Sequence, residues 1–307
     1  MTLHAGAIAP PRARAVEWPT FLMILACYGL WALVTALVFV VAPVLSVLVT
    51  GVLIAFHASL THEALHGHPF RSRMLNEVLM ALPLNLCIPY NRFRDLHLAH
   101  HQDQRLTDPY DDPESNYLDP DDWDRMTGWK RAIFTLNNTL LGRMVIGPIL
   151  GQILFVQSEW RAAWAGNRAV WLGWALHLPG VASVLAWVVL ATDMPVWAYL
   201  IAVHIGLALL KIRTFLEHQA HEHARARTVI IEDRGPLAFL FLNNNLHVVH
   251  HMHPRVPWYR LPGLYRQNKA RYLERNDGYL YRSYVDVFAR FLFRPKDPVP
   301  HPLWHRR

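Results

Sequence analysis

Cysteine is scarce in this chain: only Cys27 and Cys87 occur, both in apolar surroundings, which argues against a disulfide framework. No G-x-G-x-x-G stretch and no H-P-G-G stretch is present, so the chain lacks a dinucleotide fingerprint and a haem-binding motif of that kind. Charge is missing from four long runs. Phe21 to Val41, Pro43 to Thr61, Ala169 to Thr192 and Met194 to Leu210 contain no Asp, Glu, Lys or Arg. A bilayer core asks for roughly 17–25 apolar residues per helix. The runs therefore predict an all-α integral membrane protein with four transmembrane helices, about 19–41, 43–61, 169–192 and 194–212. They pair into two tight hairpins, turning at Ala42-Pro43 and at Thr192-Asp193-Met194-Pro195. A first apolar run this long, leading straight into a second, does not read as a signal peptide. No repeat is evident beyond the paired hairpins.

Lys and Arg are also missing from both hairpin turns, although the chain carries a net charge of +7. The cations Arg12, Arg14, Arg71, Arg73, Arg92, Arg94, Lys130, Arg131, Lys211, Arg213, Arg225 and Arg227 flank the hairpins on one side. This is the positive-inside pattern and not a nucleic-acid surface; it predicts cytoplasmic termini and cytoplasmic histidine-bearing loops. Residues 72–90 and 132–157 are then interfacial segments. If 132–157 crossed, the histidines on its two sides would be separated by the membrane. Residues 213–307 form a cytoplasmic helical cap, with aromatics alternating with Arg and Lys over 254–295, and the whole of 1–307 is one domain.

Histidine is abundant, with 19 in the chain. Two copies of H-x-x-H-H occur, His97–His100–His101 and His247–His250–His251, and His62 and His66 stand four apart. At helical spacing each set shares a face. Neutral imidazole is the commonest protein ligand for first-row transition metals. Three such sets supply more nitrogens than one four-coordinate zinc uses, so two metal ions are the economical reading. Isolated histidines (His4, His57, His177, His204, His301, His305) read as structural. His68, His221, His223 and His253 read as neighbours of the sets or as solvent-facing.

These sets, their order and the two hairpins resemble the three histidine boxes of the membrane-bound fatty acid desaturase and hydroxylase superfamily, over nearly the whole chain. The resemblance implies a non-haem di-iron centre that uses dioxygen on an unactivated C–H bond. It implies nine ligands: His62, His66, His97, His100, His101, His218, His247, His250 and His251. His218 is carried over because relatives place a histidine after a glutamate at the end of the fourth helix, and Glu217-His218 is expected to continue that helix directly. Neutral ligands leave the charge of two ferrous ions uncancelled, so Glu63, Asp95, Asp103 and Glu217 are expected beside the ligand rings. Asn243 and Asn244 are candidates to hold a metal-bound water. The implied reaction is desaturation of a fatty acyl chain, with two electrons from an external carrier, ferredoxin-like or cytochrome b5. The run His97 to Pro113 also resembles carotenoid-modifying branches, so a hydroxylase or ketolase of a carotenoid, alkane or other lipid is the alternative. A zinc membrane protein without redox chemistry is the reading from a different class.

Overall fold

A computed structural model describes residues 16–101 and 103–304, with the backbone only at Asp103. His4, Arg12, Arg14, His305 and the side chain of Asp103 lie outside the described residues. Among those described, four helices are long and apolar enough to cross a membrane: Trp18–Val41, Pro43–Leu65, Arg168–Ala191 and Val196–Thr214. They are the first to fourth spans below.

Local chemistry sets their ends. Pro43 opens the second span, where its missing N–H costs no helical hydrogen bond. The side chain of Asn167 caps the third at the amide of Ala169 (3.1 Å). The second and fourth spans approach closely at two glycines. A Cβ added at Gly51 would lie 2.6 Å from Ile205 Cγ2, and one at Gly206 2.6 Å from Ile54 Cγ2. Small residues at this crossing let the backbones meet, as helix pairs do where lipid removes the hydrophobic drive for association. Ile24, Ile54, Leu60 and Tyr199 fill the core between the spans, whereas Leu22, Leu37, Val44 and Leu190 are exposed as a lipid-facing surface requires.

The helix of the second span continues past residue 61 and carries His62 within its last turn, ending at Leu65 with His66 as its C-cap. The stretch 72–90 does not form one helix. Only Arg73–Leu79 is helical, and Met80 and Leu84 are buried in the turns that follow. Pro83 and Pro89 prevent a continuous helix, and the freed carbonyls are met by side chains from three spans. Tyr28 Oη donates to Leu79 O (3.1 Å), Tyr199 Oη to Leu84 O (2.8 Å), and His177 Nε2 to Leu86 O (3.1 Å). Irregular backbone beside spans persists only when satisfied in this way. It is also why a histidine lies within the third span.

The region 132–157 is likewise broken, into Gly128–Asn137, Leu140–Val145 and Gly147–Trp164. The last of these exposes Ile149, Ile153, Val156 and Trp160 and turns Glu159 inward. Glu159 forms a buried two-point pair with Arg92 of the helix Tyr90–His100 (2.7 and 2.9 Å), and Trp174 Nε1 donates to it at 3.3 Å. Gly173 makes room for this arginine, since a Cβ there would sit 2.8 Å from Arg92 Cγ.

The fourth span stops at Thr214, so His218 does not continue the helix as expected. Instead it lies in a bridge paired with Thr228, its carbonyl accepting from Lys296 Nζ. Beyond it, Ile230–Ile231 pairs in parallel with Leu280–Tyr281. The short helix His247–Met252 hangs on that pair through Ile231 N to Asn245 O (2.8 Å) and Val248 N to Val229 O (3.2 Å).

Candidate metal centre

The nine histidines converge as two groups. His62, His66, His97, His101 and His250 form one; His100, His218, His247 and His251 form the other. Within each group, one nitrogen per ring lies within 4.8 Å of all the rest. The split follows helix geometry. Residues four apart differ by about 40° around a helix, while the residue at the third position sits about 60° to the other side. In each H-x-x-H-H set the pair four apart therefore enters one group and the middle histidine enters the other. The second set sends His97 and His101 to the first group and His100 to the second; the third set reverses the assignment.

The nitrogens fit a metal. His66 and His97 Nε2 are 3.2 Å apart, His97 and His101 2.9 Å, and His101 and His250 3.2 Å. In the second group His218 Nε2 is 2.8 Å from His100 Nε2 and 3.1 Å from His247 Nε2. A metal–imidazole bond of about 2.1 Å places right-angle neighbours about 3.0 Å apart and tetrahedral ones about 3.4 Å apart. The observed spacings match the closer arrangement, and the first group alone holds one nitrogen more than a four-coordinate zinc accepts. His62 Nε2 is buried and has no hydrogen-bond partner among the described residues. A buried nitrogen of that kind is what an ion would satisfy.

The outer ring nitrogens are held by the protein. His97 Nδ1 meets Glu114 Oε1 at 2.8 Å, His100 Nδ1 meets Asp112 Oδ1 at 2.7 Å, and His247 Nδ1 meets Asn244 Oδ1 at 3.1 Å. Each contact places the proton on Nδ1 and leaves the Nε2 lone pair facing inward. Asn244 Nδ2 in turn donates to Glu217 Oε1 (3.1 Å), which Arg213 Nε approaches at 3.0 Å.

Burial, reinforced by neighbouring rings, pushes His66, His101, His218, His247 and His250 below the ordinary imidazole range. These rings are neutral, the state a metal requires. His100 is the exception. Burial acts to lower it, yet the carboxylates of Glu114 and Asp112 raise it to about 9. Glu114 is itself held below the usual carboxylate range, because the imidazoles of His100 and His97 outweigh its burial.

The remaining expected residues fall in different places. Glu63 Oε1 lies 4.0 Å from His62 Nδ1, while its Oε2 accepts from the amide of Trp258 (3.2 Å). Asp95 binds Arg94 Nη2 (2.6 Å) and lies 3.6 Å from Arg92 Nη1, bracing the helix. Asn243 donates to Trp258 O at 3.2 Å. His68 Nδ1 meets Glu17 Oε2 at 2.5 Å, and His301 meets Thr107 Oγ1 at 3.2 Å. His221 and His223 gather near Asp277, at 3.8 and 3.4 Å, away from the nine. Sequence reasoning did not assign Asp112 and Glu114 to the site. Their signal was the acidic run Asp111-Asp112-Pro113-Glu114, which overlaps the stretch His97 to Pro113 noted above for its likeness to carotenoid-modifying branches.

Four apolar helices with nine imidazoles in two interlocked groups define an integral membrane protein with a candidate two-metal centre. A model of the fatty acid desaturase family matches residues 38–283, most of the chain and all nine histidines. The chain belongs to the fatty acid desaturase family. No curated protein matches the sequence.

Proposed function

We propose that this protein is a dioxygen-dependent di-iron oxidoreductase that desaturates a fatty acyl chain, with the nine histidines as ligands. The observation that supports it most is the division into five and four converging nitrogens with protein partners behind His97, His100 and His247. Two iron ions held there would supply, with dioxygen, the oxidant that no side chain provides for an unactivated C–H bond. The balance is loss of two hydrogens from adjacent carbons. Dioxygen takes up two electrons from the substrate and two from an external donor, with two further protons, to give two waters. The protein orients the rings through Glu114, Asp112 and Asn244, and the surrounding burial excludes bulk water. The donor is a ferredoxin-like carrier or cytochrome b5. The distribution of Lys and Arg supports a site and termini on the cytoplasmic face.

Expression in a host with simple lipids, followed by mass spectrometry of extracted lipids against an empty vector, tests this. A new double bond, lost in His97→Ala, is expected. A new hydroxyl or keto group would assign the chain to the oxygen-inserting branch, and zinc in place of iron in the active preparation would overturn the reading.

A further inference from the structure

His218 is the one proposed ligand that neither lies in a helix nor caps one. It also lacks the ring support that neighbours in its group have. His100 and His247 meet Asp112 and Asn244 through Nδ1, whereas His218 Nδ1 is buried with no hydrogen-bond partner among the described residues. The ring is therefore placed by its backbone.

The bridge to Thr228 fixes only half of that backbone. Glu217 O accepts from Val229 N (3.1 Å), and Gln219 N donates to Arg227 O (2.9 Å). His218 is then a non-hydrogen-bonded member of the antiparallel pair, and its own amide and carbonyl point away from Thr228. The C-terminal segment 295–301 supplies partners on that open side. Lys296 Nζ donates to His218 O. Ala220 N donates to Tyr117 Oη (2.9 Å), which donates in turn to Asp297 Oδ2. Asp297 Oδ2 also lies 3.4 Å from Lys296 Nζ and balances its charge, the lysine side chain being only 7 % exposed. The segment is itself tied down. Asn138 Nδ2 donates to Asp297 O, Thr139 bridges Pro295, and Leu118 pairs with Val299 O (3.0 Å) and His301 N (2.9 Å). Lys296 thus reaches the carbonyl from a fixed base and has less freedom to lose than an exposed lysine.

We infer that Lys296 is a positioning residue for His218, supported by Asp297 and Tyr117, and that it sets the metal affinity of the four-nitrogen group. The inference rests on the reading of the nine histidines as ligands of two metal ions. Without the ammonium, the bridge stays in place but the peptide that carries the ring is released on one side. The group keeps its four nitrogens and loses their preorganisation. The five-nitrogen group, whose histidines all lie in helices or cap them, does not depend on this contact.

The test uses full-length, metal-depleted protein in nanodiscs, titrated with cobalt(II), whose visible absorption reports its coordination independently of catalysis. His66→Ala and His218→Ala serve as backgrounds that disable the five-nitrogen and the four-nitrogen group in turn. In the His66→Ala background, Lys296→Met should weaken cobalt binding about 10–100-fold, the range typical of partners behind metal ligands. In the His218→Ala background the same change should leave the dissociation constant within about twofold, because the residue it positions is gone. Tyr117→Phe, which removes one oxygen, should weaken the four-nitrogen group by about two- to tenfold, the worth of one hydrogen bond, and spare the other group. Equal weakening in both backgrounds would make Lys296 a general support of the fold and overturn the inference. Unchanged binding in the His66→Ala background would overturn it as well. If Lys296→Met does not fold, the Tyr117→Phe comparison decides alone. Unaltered protein that binds fewer than two cobalt ions would overturn the two-metal reading and this inference with it, whereas two ions bound without a selective loss would overturn the inference only.

Discussion

His100 Nδ1 lies 2.7 Å from Asp112 Oδ1, with both side chains 1 % exposed. Asp112 is fixed in turn by the amides of Thr107 (2.8 Å, to Oδ2) and Glu114 (2.9 Å, to Oδ1). This one carboxylate therefore shapes the loop and orients the ring. Outer partners of metal-bound histidines typically contribute about 10–100-fold to metal affinity or activity. Asp112→Asn should lose a factor in that range, measured by metal titration. An unchanged affinity would leave Asp112 a loop residue only.

The interleaving of the sets makes a stoichiometric prediction. His66→Ala should reduce bound metal by the ion of the five-nitrogen group and His218→Ala by that of the four-nitrogen group, with the double substitution removing both. Elemental analysis of purified protein reads this directly. Identical residual spectra from the two single variants would show that the groups do not act as separate sites. His221→Ala and His223→Ala, whose rings sit against Asp277, should keep full metal and activity.

The raised His100 sets a pH dependence. A metal must displace its proton, so apparent metal affinity should rise with pH up to about 9 and level off above it. In metal-depleted protein the sign reverses. The folded-state value lies above the unfolded imidazole value of about 6.5. The stabilisation is therefore complete below that pH and is lost as pH rises through about 9. Thermal denaturation of depleted protein between pH 8 and 10, above the range where the five lowered imidazoles change charge in the unfolded chain, should show this decline, and metal-loaded protein should not.

Arg92 and Glu159 are almost fully buried, at 7 % and 4 % side-chain exposure. Removing either partner of such a pair strands a charge and typically costs about 3–5 kcal/mol. Glu159→Ala should show a loss of that order by unfolding in mixed micelles, with disordering of the helix that carries His97. The paired change Arg92→Met with Glu159→Leu should recover most of the stability. If the paired change is as damaging as the single one, the salt bridge contributes something specific to the helix's placement.

The four apolar runs and the three histidine sets were legible in the sequence because each depends on local chemistry. Uninterrupted apolar character needs lipid or core, and imidazoles at helical spacing share a face whatever packs above them. The broken helices were legible only in part. Pro83 and Pro89 announced an interruption, but Tyr28, Tyr199 and His177 receive the freed carbonyls from far along the chain. His218 shows the same limit from the other side. Helical continuation from Arg213 was the local expectation, and the bridge to Thr228 with the Lys296 contact overrides it.

What the sequence determined by itself was the inventory: which side chains are ligand-type, which segments are apolar enough for a bilayer, and which end of each span carries the histidines. Tertiary structure alone decided which group each part of a set joins, opposite for the second and third sets, and the recruitment of Asp112 and Glu114 behind His100 and His97. It also brought His57 and His177 to one cavity. The reason is geometric. Spacing along a helix fixes a ring's angle about its own axis, whereas what the ring meets depends on where other helices are placed across the bundle, and that is set by packing at positions such as Gly51, Gly173 and Gly206.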